Sequence, residues 1–211
     1  PEHPRSLALG FAECSPVVLV VEALAEGQVV KLVIPFLVDS PEAGGLALTT
    51  AQVGIAYGTV GVASLTVGGI LGGLLIARDG LGKWLLPMVV AINLPNAAYL
   101  LLAIFRPESF VWVNVAIAVE QFGYGFGFAA FLMVLIYIAT GERKTAHYAI
   151  ATGFMALGMM IPGMFSGWLE DLIGYEQFFV WVLIATIPSF LVALRIKVDP
   201  TFGKKKAEAA A

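Results

Sequence analysis

Charge is what this sequence has least of. Only 13% of its 211 residues are Asp, Glu, Lys or Arg, about half the share of an ordinary soluble domain. A chain of this length folded in water still has to present a polar surface, so a water-soluble globule is excluded. Its net charge of −3 comes with no basic stripe, and without one no nucleic-acid backbone can be neutralised. Cysteine is scarcer still. Cys14 stands alone, which excludes an internal disulfide and a thiolate metal cluster. The two histidines, His3 and His147, lie far apart. No metal is therefore expected, and nothing in the sequence asks for another cofactor. Serine–histidine and paired-aspartate constellations at matching depth are missing too, so an enzyme is not expected. Period-2 alternation is absent, which argues against a transmembrane barrel.

What is present is apolar. Hydrophobic residues make up 59% of the chain, with a mean hydropathy of +0.89. A helix needs about 20 such residues to cross the bilayer core, and six stretches reach that length. The first runs from about Pro16 to Val38, with Ser15 placed to cap it and Pro16 at its first helical position. The second covers about Ala51 to Ala77, opened by Thr49 or Thr50, and the third about Lys83 to Phe105. Pro107 and Ser109 introduce a fourth, about Phe110 to Ala139. The fifth, about Thr145 to Leu172, stops near Gly174, a residue suited to a helix C-cap. The sixth spans about Tyr175 to Ile196. The expected fold is an all-α membrane protein. It has a linker over 1–15, six transmembrane helices within 16–197 and a polar tail over 198–211.

Basic residues orient these spans. With the N-terminus in the cytoplasm, the inside segments hold Arg5, Arg78, Lys83, Arg143, Lys144, Arg195, Lys197, Lys204, Lys205 and Lys206. The outside loops hold only Arg106, with acids at Asp39, Glu42, Glu108, Glu170, Asp171 and Glu176. Both termini are expected to be cytoplasmic. Pro1 to Cys14 does not read as a secretory signal, because it has no initiator methionine and no small-residue cleavage site. Its opening reads as the interior of a longer chain, and the lysine-rich end as a C-terminus.

Four ionisable residues fall inside spans: Glu22, Glu26 and Lys31 in the first and Glu120 in the fourth. Each costs a few kcal/mol unless it faces a bundle interior or water. Glu22 and Glu26 share a helix face about 6 Å apart along the axis. Two poorly hydrated carboxylates that close resist simultaneous ionisation, so at least one is expected to hold its proton near neutral pH. Glu120 lies about 16 Å into its span, near the midplane. The structural alternatives are that Glu22 sits near headgroups, that Lys31 snorkels outward, and that Glu120 bonds across helices as a neutral acid.

Gln28, Asn93, Asn96, Asn114 and Gln121 are amides at similar depth, suited either to a ligand or to interhelical hydrogen bonds. Tyr57, Tyr99, Tyr124 and Tyr148 fit either a polar cavity or an interfacial aromatic belt. Gly54, Gly58, Gly61, Gly68, Gly69, Gly72 and Gly73 in the second span form small-xxx-small pairs for close helix approach. The fifth has Gly153, Gly158, Gly163 and Gly167 with Pro162 in its middle, and helices this rich in glycine and proline pack tightly and bend. The run Gly123-Tyr124-Gly125-Phe126-Gly127 is like a phosphate loop only on its surface, since no lysine follows it.

The stretch from Gly72 to Lys83 resembles the cytoplasmic loop motif of the major facilitator superfamily, Gly-x-x-x-Asp/Arg-x-x-Gly-Arg/Lys. Gly72, Gly73, Arg78, Asp79, Gly80 and Lys83 supply its elements, with Arg78 and Asp79 at shifted spacing. Ala25-Glu26-Gly27-Gln28, Pro95-Asn96-Ala97-Ala98-Tyr99, Glu120 to Gly127, His147-Tyr148-Ala149 and Pro162 to Trp168 are similar to the C-terminal half of the muropeptide permeases. That branch also holds acetyl-CoA transporters.

The resemblance implies one half of a twelve-helix, proton-driven, alternating-access importer in a bacterial inner membrane. The six spans would be its helices seven to twelve, and the partner an N-terminal half of the same chain or a second copy. It implies a wall-derived sugar-peptide as solute. It also matches Glu26 and Glu120 to acidic positions of the family's seventh and tenth helices. With Glu22 these are the expected proton-coupling residues. Asn96, Gln121, Tyr124, Gln28 and Asn93 are the expected substrate contacts. A scaffold whose buried acids only tie helices together is the alternative from another class.

Overall fold

The computed structural model describes residues 23–139, 143–196 and 198–205, and among these every regular element is helical. The linker 1–15, the expected helix start at Pro16, Glu22, Lys197 and the end of the tail lie outside the described residues. Helix α1 covers residues 23–38. It is followed by α2 (Thr50–Asp79), α3 (Leu81–Phe105), α4 (Phe110–Ile138) and α5 (Lys144–Ala193), each of these four long and apolar enough to cross a membrane. Their ends fall within three residues of those read from hydropathy. Thr49 caps α2 with a reciprocal box: Gln52 N–H donates to Thr49 Oγ1 at 3.3 Å, and Thr49 N–H to Gln52 Oε1 at 2.9 Å, which satisfies two otherwise orphaned donors.

The fifth and sixth stretches together form α5, which is broken at Gly174. There φ is 75° and ψ 164°, a conformation open to glycine and closed to residues with a Cβ. Gly174 is thus a sharp reversal rather than an ordinary left-handed cap. Contacts with α1 give the direction of each arm. In the first arm, a Cβ on Gly27 would collide with Met159, and one on Gly163 would sit 3.0 Å from Lys31 Cγ. In the second, Tyr175 Oη donates to Asp39 at 2.6 Å, Phe179 packs on Phe36, and Trp181 reaches Gln28. The first arm climbs along α1 and the second descends beside it.

Helix α4 is wedged between α2 and α3 by glycine. Gly68 and Gly72 of α2 lie against the α4 backbone at Phe122 and Phe126, and Gly125 answers from α4 against Leu65. Gly123 and Gly127, one turn apart, face the α3 backbone at Ala91 and Met88. Two faces of α4 therefore lack side chains, and neighbouring backbones come into contact. The glycine run is packing surface inside a helix. Gly54, Gly58, Gly73, Gly153 and Gly167 by contrast have nothing within 4 Å of a would-be Cβ.

Outside, the bundle is apolar. At most 39% of each spanning window is buried, and Phe105, Met164 and Trp168 are 71%, 75% and 64% exposed. Glu26, Gln28, Asn93, Asn96 and Glu120 are buried instead. An apolar exterior with ionisable and amide side chains turned inward suits lipid as the surrounding solvent. Lys31 is exposed, with its stem laid along Gly163.

The two ends of the bundle differ in charge. At one, a Cβ on Gly80 would meet Pro200 and the Lys204 side chain, and Lys205 N–H donates to Ala77 O. At the other, Arg106 Nη1 donates to Pro41 O at 3.3 Å, close to Asp39 and Tyr175.

Candidate functional site

Glu120 lies in the middle of α4 and is 4% exposed. Its Oε2 accepts two hydrogen bonds at 2.8 Å, from Tyr99 Oη on α3 and from Gln121 Nε2 next to it. The Tyr99 hydroxyl is in turn 2.8 Å from that of Tyr57 on α2. Three helices thus meet in one file of oxygens. The chain departs from regular helix at both tyrosines. Tyr57 sits in a π-helical segment, Ala56–Gly61. Tyr99 follows a 3-10 turn, Leu94–Asn96, built around Pro95, which has no N–H to donate. Irregular backbone at membrane depth is tolerated where it is buried in protein or lines a cavity, and π segments recur at functional sites.

Glu26 on α1 borders an open cavity. Its wall includes Val89 of α3, Phe128 and Val134 of α4, and Met155 and Ala193 of α5; Glu26 and Tyr124 are the polar side chains among the described lining residues. Glu120 lies on α4, which supplies Tyr124, Phe128 and Val134 to the same cavity wall. The acid expected to pair with Glu26 was Glu22, which lies outside the described residues.

Of the expected substrate residues, only Tyr124 lines the cavity. Gln28 is occupied at both ends, donating to Leu24 O at 3.1 Å and accepting from Trp181 Nε1 at 3.0 Å. Asn93 donates to Val89 O at 2.9 Å within its own helix. Gln121 is spent on Glu120. Asn96 differs: it is 1% exposed, and neither its Nδ2 nor its Oδ1 has a partner. Trp181 was not anticipated, because an indole in an apolar helix gives no sign of its partner 153 residues away. Tyr57 and Tyr99 were noticed as cavity or belt residues, without their bond to each other or to Glu120.

The loop motif is assembled around Asp79. Its carboxylate accepts from Arg78 Nη2 at 2.9 Å and Trp84 Nε1 at 3.0 Å, with Lys83 Nζ at 3.4 Å. Gly80 supplies the bend between α2 and α3 at φ 92°, and Gly72 seats α2 on Phe126. Among the described residues no group of three His, Cys, Asp or Glu side chains is arranged to hold a metal.

No protein-family model matches the chain. It is 24% identical over 176 residues to "Anhydromuropeptide permease" of Escherichia coli (strain K12), a match covering 83% of this chain and 35% of that protein. It is 26% identical over 151 residues to "Putative transporter AmpG 1" of Rickettsia bellii, covering 72% and 36%. A protein of the same name from Rickettsia prowazekii is 24% identical over 179 residues, covering 85% and 39%. The chain spans a little over a third of the length of the curated relatives it matches. Those relatives are named permeases and transporters, not enzymes, and they bear out the resemblance seen in the sequence.

Proposed function

Because its relatives are muropeptide permeases and transporters, we propose that this chain is the C-terminal half of a proton-coupled importer working by alternating access. The half comprises six transmembrane helices: α1 to α4 and the two arms of α5. It sits in a bacterial inner membrane with the Gly80 end toward the cytoplasm, where Arg78, Lys83, Lys204 and Lys205 gather, and both termini are cytoplasmic. Its solute is a small wall-derived sugar-peptide, an anhydro-muropeptide. Its partner is the N-terminal half of the same protein or a second copy, set so that the cavity beside Glu26 becomes central.

One observation carries the reading: an acid, Glu26, borders the cavity, and a second, Glu120, lies buried on the α4 helix that shares its wall, held by Tyr99 and Gln121. A static bundle gains little from one acid at a cavity wall and another buried behind it, since a lone buried charge costs several kcal/mol. A transporter gains more, because changing hydration of the cavity shifts which acid keeps a proton. Tyr124 at the wall and the unpartnered Asn96 are the proposed solute contacts. Asp79, bound by Arg78, Trp84 and Lys83, holds the loop that would pivot between states.

Full-length protein in proteoliposomes, given labelled anhydro-muropeptide and an imposed pH gradient, tests this. Gradient-driven uptake is expected, and Glu120→Gln should reduce it roughly a hundredfold, the scale of a lost proton-transfer group. Uptake indifferent to the gradient, or unchanged in Glu120→Gln, rejects proton coupling. Tolerance of that substitution together with a shifted melting temperature returns Glu120 to a scaffold role.

A further inference from the structure

We propose that Tyr57 and Tyr99 form a hydroxyl relay that delivers protons to Glu120 from the Arg106 end of the bundle. The relay rests on the reading of Glu120 as a proton-exchanging group, and it adds a route and a direction.

The direction follows from counting hydrogens. A phenol has one proton to donate, and Tyr99 gives its own to Glu120 Oε2. In the contact between the two tyrosine hydroxyls, Tyr57 must therefore be the donor. Each proton in the file points toward the carboxyl, and the Tyr57 oxygen keeps lone pairs with which to accept one. Gln121 Nε2, the other donor to Oε2, has no lone pair available. It holds the carboxyl in place without offering a second path.

The packing isolates the file. The Phe179 ring of α5 stacks on Tyr99 at 5.8 Å, covering it with hydrocarbon. Gly61, the last residue of the π segment, sets α2 tightly against Gln121 and Ile117, since a Cβ there would lie 3.4 and 3.5 Å from them. The other titratable groups on this side of the bundle are Glu26 on α1 and Tyr124 on α4, both at the cavity wall. Counted at about 1.5 Å per residue from the helix ends nearest Arg106, Glu120 lies about 15 Å deep, while Tyr57 and Tyr99 lie about 10 and 9 Å deep. The backbone positions of both tyrosines thus lie nearer that end than that of the acid, whereas the cavity wall at Leu85, Val134 and Ile196 extends toward the Gly80 end. Glu120 stands between the two.

In one transfer a hydronium ion protonates the Tyr57 oxygen. Tyr57 passes its own proton to Tyr99, and Tyr99 passes its own to the Glu120 carboxylate. One water and one carboxylic acid result, both phenols end neutral, and rotation of the hydroxyls resets the file.

The test needs no solute. Protein reconstituted in vesicles is given a pH jump, and the carbonyl stretch of protonated Glu120 is followed by time-resolved infrared spectroscopy, assigned by its loss in Glu120→Gln. Tyr57→Phe and Tyr99→Phe should each slow its appearance roughly tenfold or more and abolish the slowing seen in D2O. Tyr137→Phe, near the opposite end, should do neither. Unchanged rates in both relay variants overturn the relay and leave the reading of Glu120 standing. Should either variant misfold, an absent D2O effect in the unsubstituted protein overturns the relay by itself. A band that never titrates between roughly pH 5 and 9 overturns both.

Discussion

At the scale of single residues, Asn96 is the outlier. Leaving a buried polar group unpaired costs about 1–3 kcal/mol, and both of its side-chain polar atoms are in that position. The 3-10 turn around Pro95 holds it there, three residues before Tyr99. Asn96→Leu is therefore expected to raise the melting temperature in detergent while lowering solute uptake. A raised melting temperature with full uptake would remove Asn96 from the proposed contacts. Glu26 and Glu120 stood out in the sequence because a charge in an apolar run has no cheap explanation. Amides and tyrosines did not sort themselves so cleanly. Their energetics depend on partners across helices, such as Trp181 for Gln28 and Tyr99 for Tyr57.

At the scale of helices, glycine content was legible and glycine use only partly so. Small-xxx-small spacing marked the whole of α2, yet Gly68 and Gly72 touch α4 while Gly54, Gly58 and Gly73 face open space. Periodicity gives the face a residue occupies; it does not say which face has a neighbour. The two classes should respond oppositely to one added methyl. Gly125→Ala drives a Cβ into the α2 backbone at Leu65 and should cost about 1–3 kcal/mol as overpacking. Gly73→Ala meets nothing and should gain up to about 1 kcal/mol of helix propensity. Thermal unfolding monitored by circular dichroism distinguishes them, and equal shifts would show that α4 is not wedged as described.

For the molecule as a whole, the segment after α5 closes the Gly80 end. Leu81 N–H donates to Phe202 O at 2.9 Å, Lys205 N–H to Ala77 O at 2.8 Å, and the Phe202 ring lies 4.8 Å from that of Tyr137 on α4. The polar tail read from the sequence is thus, over 198–205, a clasp across α2, α3 and α4. Phe202→Ala should cost about 2 kcal/mol, below the range for a fully buried phenylalanine because the ring is only partly covered. Gly80→Ala should release the clasp, since its φ is positive and Pro200 O occupies the space. Faster tryptic cutting at Lys204 and Lys205 would report both, and unchanged cutting would refute the clasp.

The clasp has an acid-sensitive turn. Asp199 Oδ1 accepts from Thr201 N–H at 2.7 Å and Thr201 Oγ1 at 2.6 Å, which holds its carboxyl below its ordinary value of 3.8. Stabilisation from a lowered carboxylate is complete above about pH 4 and lost as pH falls through the lowered value. Exchange of the Thr201 amide should therefore quicken, relative to its neighbours, only in that acid range, and Thr201→Ala should lower the protection of the turn at neutral pH.

Hydropathy by itself determined that the chain suits lipid and where α2 to α5 begin and end, because the cost of hydrocarbon meeting water or charge meeting hydrocarbon is set residue by residue. It also singled out the two deep acids. The reversal of α5 along α1, the wedging of α4, the cavity beside Glu26 and the file from Glu120 through Tyr99 to Tyr57 were decided only in three dimensions. Each depends on which of several equally apolar faces meet, and that choice rests on shape at the contact between helices, which no single helix carries in its own spacing.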